Sequence, residues 1–238
     1  MTAWTDPPTL VGQHVILRPT VPEDQGGIVA AAADGKISEL FFTNVSTLTD
    51  PAAFMAALFR ERDYGRAMPF TVCVPDPTSP PFALSEVEGP GTAQGLRLRS
   101  ARTEEGTDPA PHPASRIVGL TRYMRMNAAH RRLEIGGTFY AKSVQRSGVN
   151  TEAKLLLLKH AFEVMDCNAV QIRTDWFNKA SQKAIERLGA KRDGVLRNHQ
   201  LMDGRIRDLM VYSIIASEWA GVERNLRFLL ARNEGKTA

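Results

Sequence analysis

The chain has 238 residues, 43% of them hydrophobic and 24% charged, enough for one good hydrophobic core. A net charge of +4 suits an anionic ligand, but no dense basic stripe is present, so nucleic-acid binding is set aside. Two distant cysteines, five scattered histidines without HExxH spacing, no signal-like N-terminus and no membrane-length apolar run predict a reduced, cytoplasmic protein without metal or membrane partner.

In chain order, HVILR at 14–18 is a short apolar run closed by Pro19, which predicts an early strand. Helical patterns follow at 23–33 and 51–62. Asp50 is placed to cap the second, with Pro51 in its first turn. In PFTVCV, 69–74, Phe70, Val72 and Val74 alternate with smaller or polar residues, as in a strand with one buried face. Residues 75–115 then hold eight of the 14 prolines and few large apolar side chains. Such a stretch buries too little to offset its ordering entropy, and it reads as a mostly disordered insertion in a hairpin loop of a single 1–238 domain.

Order resumes at Arg116. IVGLTRYM and RRLEIGGTFY predict two strands around a polar turn. Simple alternation in the second puts Leu133, Ile135 and Phe139 on one face, with Glu134, Gly136, Thr138 and Tyr140 on the other. A polar turn, QRSGVN, then enters a leucine-rich helix reaching about Met165. AVQIRTDW predicts a strand burying Val170, Ile172 and Thr174. Residues 178–188 predict a helix stopped by Gly189. Two strands around Asp203-Gly204 read as a hairpin, and a polar helix spans about 217–232. The sum is an α/β or α+β mixed sheet of about seven strands with helices packed on it.

The turn at 145–151 carries the first chemical signal. A helix N-terminus presents unpaired N–H groups and about half a positive charge, and a turn with inward amides adds donors. Gly148 would allow close approach and unusual dihedrals, Arg146 adds charge, and Asn150 or Thr151 could cap. By itself such a turn also describes an ordinary helix start.

The flanking blocks decide. LEIGGTFY, QRSGVNTEAKLLLLKHAFE, IRTDWFNKASQKAIERLGAKRDGVLRNH and DGRIRDLMVYSIIASEW, with LVGQHVILRPTVPED at the N-terminus, together resemble the GCN5-related N-acetyltransferases (GNAT), in the branch of RimJ and RimL. Only 75–115 finds no counterpart. The family's [QR]-x-x-G-x-[GA] loop stands here as Gln145-Arg146-Ser147-Gly148-Val149-Asn150, with Asn150 departing from the usual small residue. The resemblance implies the GNAT fold, a splayed mixed sheet holding acetyl-CoA between its central strands. It also implies that the amides of Gln145 through Thr151 bind the diphosphate.

It further implies a set of roles. The acceptor amine must be deprotonated, and Glu134 is the candidate base; the plain alternative is a surface carboxylate paired with Arg131 or Arg132. The N–H of Phe139 or Tyr140 is the candidate oxyanion donor. Asn178 would meet the pantetheine arm and Ser181 would protonate the thiolate, although both also suit a helix start. Lys179, Lys183 and Arg187 read as a solvated face and are left outside the site. The expected acceptor is a protein α-amino group or a small amine, in a cleft built by 36–44 and 197–205. A monomer or homodimer is expected. A non-catalytic acyl-CoA-binding module is the alternative.

Overall fold

The computed structural model describes residues 3–35, 37–43, 48–75, 115–202 and 204–234. Among these are eight strands: β1 (Leu10–Val11), β2 (Ile16–Pro19), β3 (Ala67–Pro75), β4 (Ser115–Asn127), β5 (Arg132–Tyr140), β6 (Ala169–Asp175), β7 (Lys191–Met202) and β8 (Arg205–Ile215). Five helices accompany them: α1 (Gln25–Ala33), α2 (Pro51–Asp63), α3 (Val149–Lys159), α4 (Lys179–Leu188) and α5 (Trp219–Glu234). All strands join one sheet in the order β1-β2-β3-β4-β5-β6-β8-β7. Its only parallel pair among the described residues is β5 with β6.

The mixed sheet with helices on both faces is as expected. One strand more appears, because β1 is a two-residue edge too short to carry a periodic signal. The capping expected of Asp50 is observed, its side chain accepting from Ala53 N, and Pro51 opens α2. Gly189 ends α4 at φ 103° and Gly204 turns the β7–β8 hairpin at φ 77°. Asp203, Lys36, Asn44 and the expected disorder over 76–114 lie outside the described residues. The neighbouring residues are informative: Pro75 and Ser115 face each other in the β3–β4 ladder.

α1 packs on one face of the sheet, where Gly27 leaves room for Ile117. α3 packs on the other, where the fully buried Tyr123 donates to the Leu157 carbonyl at 2.7 Å. Leu155 to Leu158 are consecutive and all buried, so this part of α3 is covered on every side. It lies between the sheet and α5. The rings of Phe162 and Trp219 stack at 5.4 Å beyond its end, where the helix widens into a π turn at His160–Val164.

The alternation expected in β5 needs correction. Gly137 adopts φ 56°, and the β4–β5 register slips there, Gly136 facing Arg122 while Phe139 faces Leu120. One extra residue on β5 inverts the pattern beyond it. Phe139 therefore shares the face of Glu134, while Thr138 and Tyr140 turn to the face of Ile135 and α3. Simple alternation fails because it assumes an unbroken ladder.

Candidate functional site

β5 and β6 pair through only three residues each, Arg132–Glu134 against Ala169–Gln171. Beyond them β5 stays with β4 as far as Tyr140, and β6 stays with β8 as far as Asp175. A V-shaped split opens between the two strands. A side chain at Gly119 would run into the Phe139 carbonyl, so that carbonyl points at β4. A planar trans peptide sets the next N–H on the opposite side. The Tyr140 N–H is thereby aimed into the split. The Tyr140 hydroxyl is buried without a partner among the described residues.

The chain after β5 is braced into a fixed loop. The end of α1 grips its start: Asp34 accepts from Ser143 N at 3.0 Å through its carboxylate and from Lys142 N at 3.1 Å through its carbonyl. Gln145 Nε2 donates to the Tyr140 carbonyl at 3.1 Å. The Ser147 hydroxyl donates to Val144 O at 2.6 Å and accepts from Val149 N at 3.3 Å. These two side chains build the loop instead of reaching outward. Arg146 does reach outward, with no ion pair or side-chain hydrogen bond among the described residues.

Three details depart from expectation. The unusual dihedral belongs to Arg146, at φ 62°, whereas Gly148 sits in ordinary helical geometry at φ −68°. Gly148 is small because a β-carbon there would lie 2.9 Å from the His14 ring. Neither Asn150 nor Thr151 caps α3: Gly148 is the N-cap, and among the described residues only the Ser147 hydroxyl accepts from an amide of the first turn, that of Val149. The first-turn amides, including those of Asn150 and Thr151, have no carbonyl within the helix to bond. The Thr151 hydroxyl instead accepts from Arg187 at 3.0 Å. Arg187, left outside the site by helical spacing alone, thus reaches the first turn of α3.

The buried Glu152 fixes this end of α3 to the β1–β2 turn. Its carboxylate accepts from Gln13 N, His14 N and Val15 N at 2.6–2.9 Å. Lys154, one turn further in, is 5% exposed and donates to Thr138 Oγ1 at 3.1 Å. Burial lowers its ammonium to about 7. Nothing in the residue pattern marks this lysine as buried, and sequence reasoning missed it.

Glu134 stands where the split closes. It is 5% exposed, and its Oε2 lies 3.0 Å from Arg125 Nε and 3.2 Å from Arg173 Nε. Neither contact is aligned as a hydrogen bond, so Oε2 keeps an unfilled acceptor position. The pairing differs from the Arg131 or Arg132 alternative: Arg131 turns to Asp166 and Asn168. Burial pushes the Glu134 carboxyl above its ordinary value, against the pull of Arg125, Arg173 and Arg122.

Asn178 is the N-cap of α4, accepting from Ser181 N at 3.0 Å; Ser181 is half-buried in the first turn. Nearby, the buried Asp175 holds Arg205 at 2.7 Å and Arg207 at 3.1 Å, tying the last hairpin to the end of β6. Arg205 also lies over the exposed Phe41 ring at 5.2 Å, so Phe41 and the last hairpin meet. Cys73 and Cys167 are buried free thiols, and no metal-holding cluster occurs among the described residues. No helix among them is long and apolar enough to cross a membrane.

Comparison with known proteins agrees with this architecture. Residues 14–191 match the model of the acetyltransferase (GNAT) domain. YdaF of Bacillus subtilis (strain 168), provisionally named a ribosomal N-acetyltransferase, is 30% identical over 44% of this chain and 57% of its own length. The chain thus spans little more than half of the curated relatives it matches. A crystal structure from T. thermophilus, provisionally titled an acetyltransferase, superposes with TM-score 0.69 at 27% identity, over 95% of this chain and 99% of that one. Mycobacterium smegmatis RimJ, solved with CoA-disulfide, shares the fold with TM-score 0.63 at 19% identity, over 98% of both chains. The chain therefore belongs to the GNAT acetyltransferase family, in its RimJ/RimL-like branch.

Proposed function

We propose that the protein transfers acetyl from acetyl-CoA to a primary amine, a protein N-terminus or a small molecule, by direct attack in a ternary complex. The observation that carries this reading is the pairing of an uncapped α3 N-terminus with a split sheet. The diphosphate sits on the loop and first-turn amides between Arg146 and Thr151, the Gln145 N–H being held by the Lys142 carbonyl and that of Val149 by Ser147, with the exposed Arg146 as counter-charge. The acyl arm then runs down the split, past Phe139 and Tyr140. Asn178 keeps its capping oxygen engaged, and its amide nitrogen is left for the pantetheine.

The reading assigns a group to each chemical step. The Tyr140 N–H meets the oxyanion as it forms. Glu134, with an open lone pair and a carboxyl raised by burial, takes the ammonium proton through intervening water, since it stands six residues before Tyr140 along β5. Ser181 supplies a proton to the departing thiolate across the split. One observation favours a second reading: Glu134 lies between two arginines, as a purely structural carboxylate would. In that case the chain binds acyl-CoA without turning it over.

The test is release of CoA thiol from acetyl-CoA with a panel of amines and peptides. Turnover is expected, and CoA binding without turnover selects the second reading. Glu134→Gln is expected to lower kcat about a hundredfold near neutral pH while leaving CoA affinity within twofold. The deficit should narrow as rising pH frees the amine. Identical pH–rate profiles for the two proteins would remove Glu134 from the mechanism.

A further inference from the structure

On the α1–α2 face of the sheet, a cavity of about 440 Å³ lies between the end of α2, the start of β3 and the β4–β5 turn. Four arginines line it: Arg66, Arg122, Arg125 and Arg132, against one carboxylate, Glu61. Glu61 pairs with Arg66 at 3.7 Å and Glu134 with Arg125 at 3.0 Å. Arg122 and Arg132 then remain without an ion pair or side-chain hydrogen bond among the described residues, and the Nε of Arg122 is buried and unfilled. Glu134 and Glu61 act on Arg122 only from a distance, without an ion pair, and a guanidinium held in that way keeps unfilled donors at any working pH.

The place of the cavity matters as much as its charge. A side chain at Gly137 would strike the Arg122 guanidinium, so that group lies against the β5 bulge, at the edge of the split. Glu134 touches Arg125 on the cavity side and Arg173 on the split side. Cavity and split therefore share a wall.

We propose that this cavity holds the acidic group of the acceptor, a carboxylate or a phosphate, so that the substrate is an amine carrying its own oxyanion. The proposal rests on the acetyltransferase reading above. An oxyanion between the exposed Arg132 and the cavity side of Arg122 would give both guanidiniums a counter-charge and cancel the excess charge. The amine at the other end of such a molecule would point past Glu134 into the split.

The experiment has two arms on the intact protein. In the first, CoA release is compared for γ-aminobutyrate against butylamine, and for phosphoethanolamine against ethylamine. At least a tenfold higher kcat/KM is expected for one acidic member of these pairs, and which pair shows it tells carboxylate from phosphate. Arg132→Gln should cut that preference at least fivefold, through a raised KM for the acidic amine, while leaving CoA affinity unchanged. Equal kcat/KM within both pairs, or a preference untouched by both Arg132→Gln and Arg122→Gln, overturns the proposal. In the second arm, glutarate and inorganic phosphate are titrated into wild type and Arg132→Gln by calorimetry. Binding that weakens in the variant supports an oxyanion site. No binding to wild type, or binding the variant leaves unchanged, overturns it. Absence of turnover with every amine overturns the parent reading instead, and the titration then decides for the cavity alone.

Discussion

Two helices begin beside the split, and they begin differently. α4 is closed by its own sequence: Asn178 accepts from Ser181 N, and the helix end needs nothing more. α3 starts at Gly148 without a capping side chain, although Ser147, Asn150 and Thr151 are all at hand. Ser147 is spent on bracing the loop and Thr151 on Arg187. The contrast separates a helix start closed by its own side chain from one left open, as the proposed diphosphate site requires. Residue type alone does not tell the two apart, since both starts are rich in capping residues. What each side chain is already bonded to does.

The contrast can be broken most sharply at Gly148. Gly148→Asp should weaken acetyl-CoA binding about a hundredfold, roughly 2.7 kcal/mol, by placing a carboxylate beside the proposed diphosphate site. Gly148→Ala adds only crowding against His14 and should cost about threefold, recovered in a His14→Ala background. Calorimetry that shows equal losses for Asp and Ala would mean the site is steric, with no anion involved.

A second comparison looks inside α3, at Lys154. Its folded pKa, lowered to about 7 by burial, lies below the unfolded value of about 10.4. The stability linked to it is complete only above the unfolded value and is lost as pH falls through 7. Wild-type unfolding free energy should therefore rise by about 2 kcal/mol between pH 7 and 9. Lys154→Met should lack that rise. Parallel stability curves in urea titrations at the two pH values would show that the ammonium is solvated.

The smallest effects belong to α4. Asn178→Ala should cost about 1 kcal/mol of stability through loss of the cap. Asn178→Asp keeps the cap but loses the amide donor, so stability should hold while acetyl-CoA affinity falls about threefold. If Asn178→Asp binds acetyl-CoA as wild type does, the residue is a cap and nothing else.

Much of this was legible in the sequence, for identifiable reasons. The polar turn before four leucines marked α3, and Gly189 and Gly204 marked their turns, because each signal is local. The order of blocks gave the family. What stayed hidden depends on contacts distant in the chain. Gly148 looked like a dihedral requirement, but its constraint is His14, more than a hundred residues earlier. The inversion of β5 beyond Gly137 depends on the register of β4. The partners of Glu134, Arg125 and Arg173, come from two different strands, so no spacing rule could have named them.

The junction of Pro75 with Ser115 has a practical consequence. These residues face each other at the end of the β3–β4 ladder, and a few positions along β4, Gly119 faces Tyr140. Chain spliced between them closes the same short gap whatever its length, and doubling that length costs only about 0.6 kcal/mol. The position is a natural port for a genetically inserted fluorophore. Such an insertion would leave every strand of the sheet as it is.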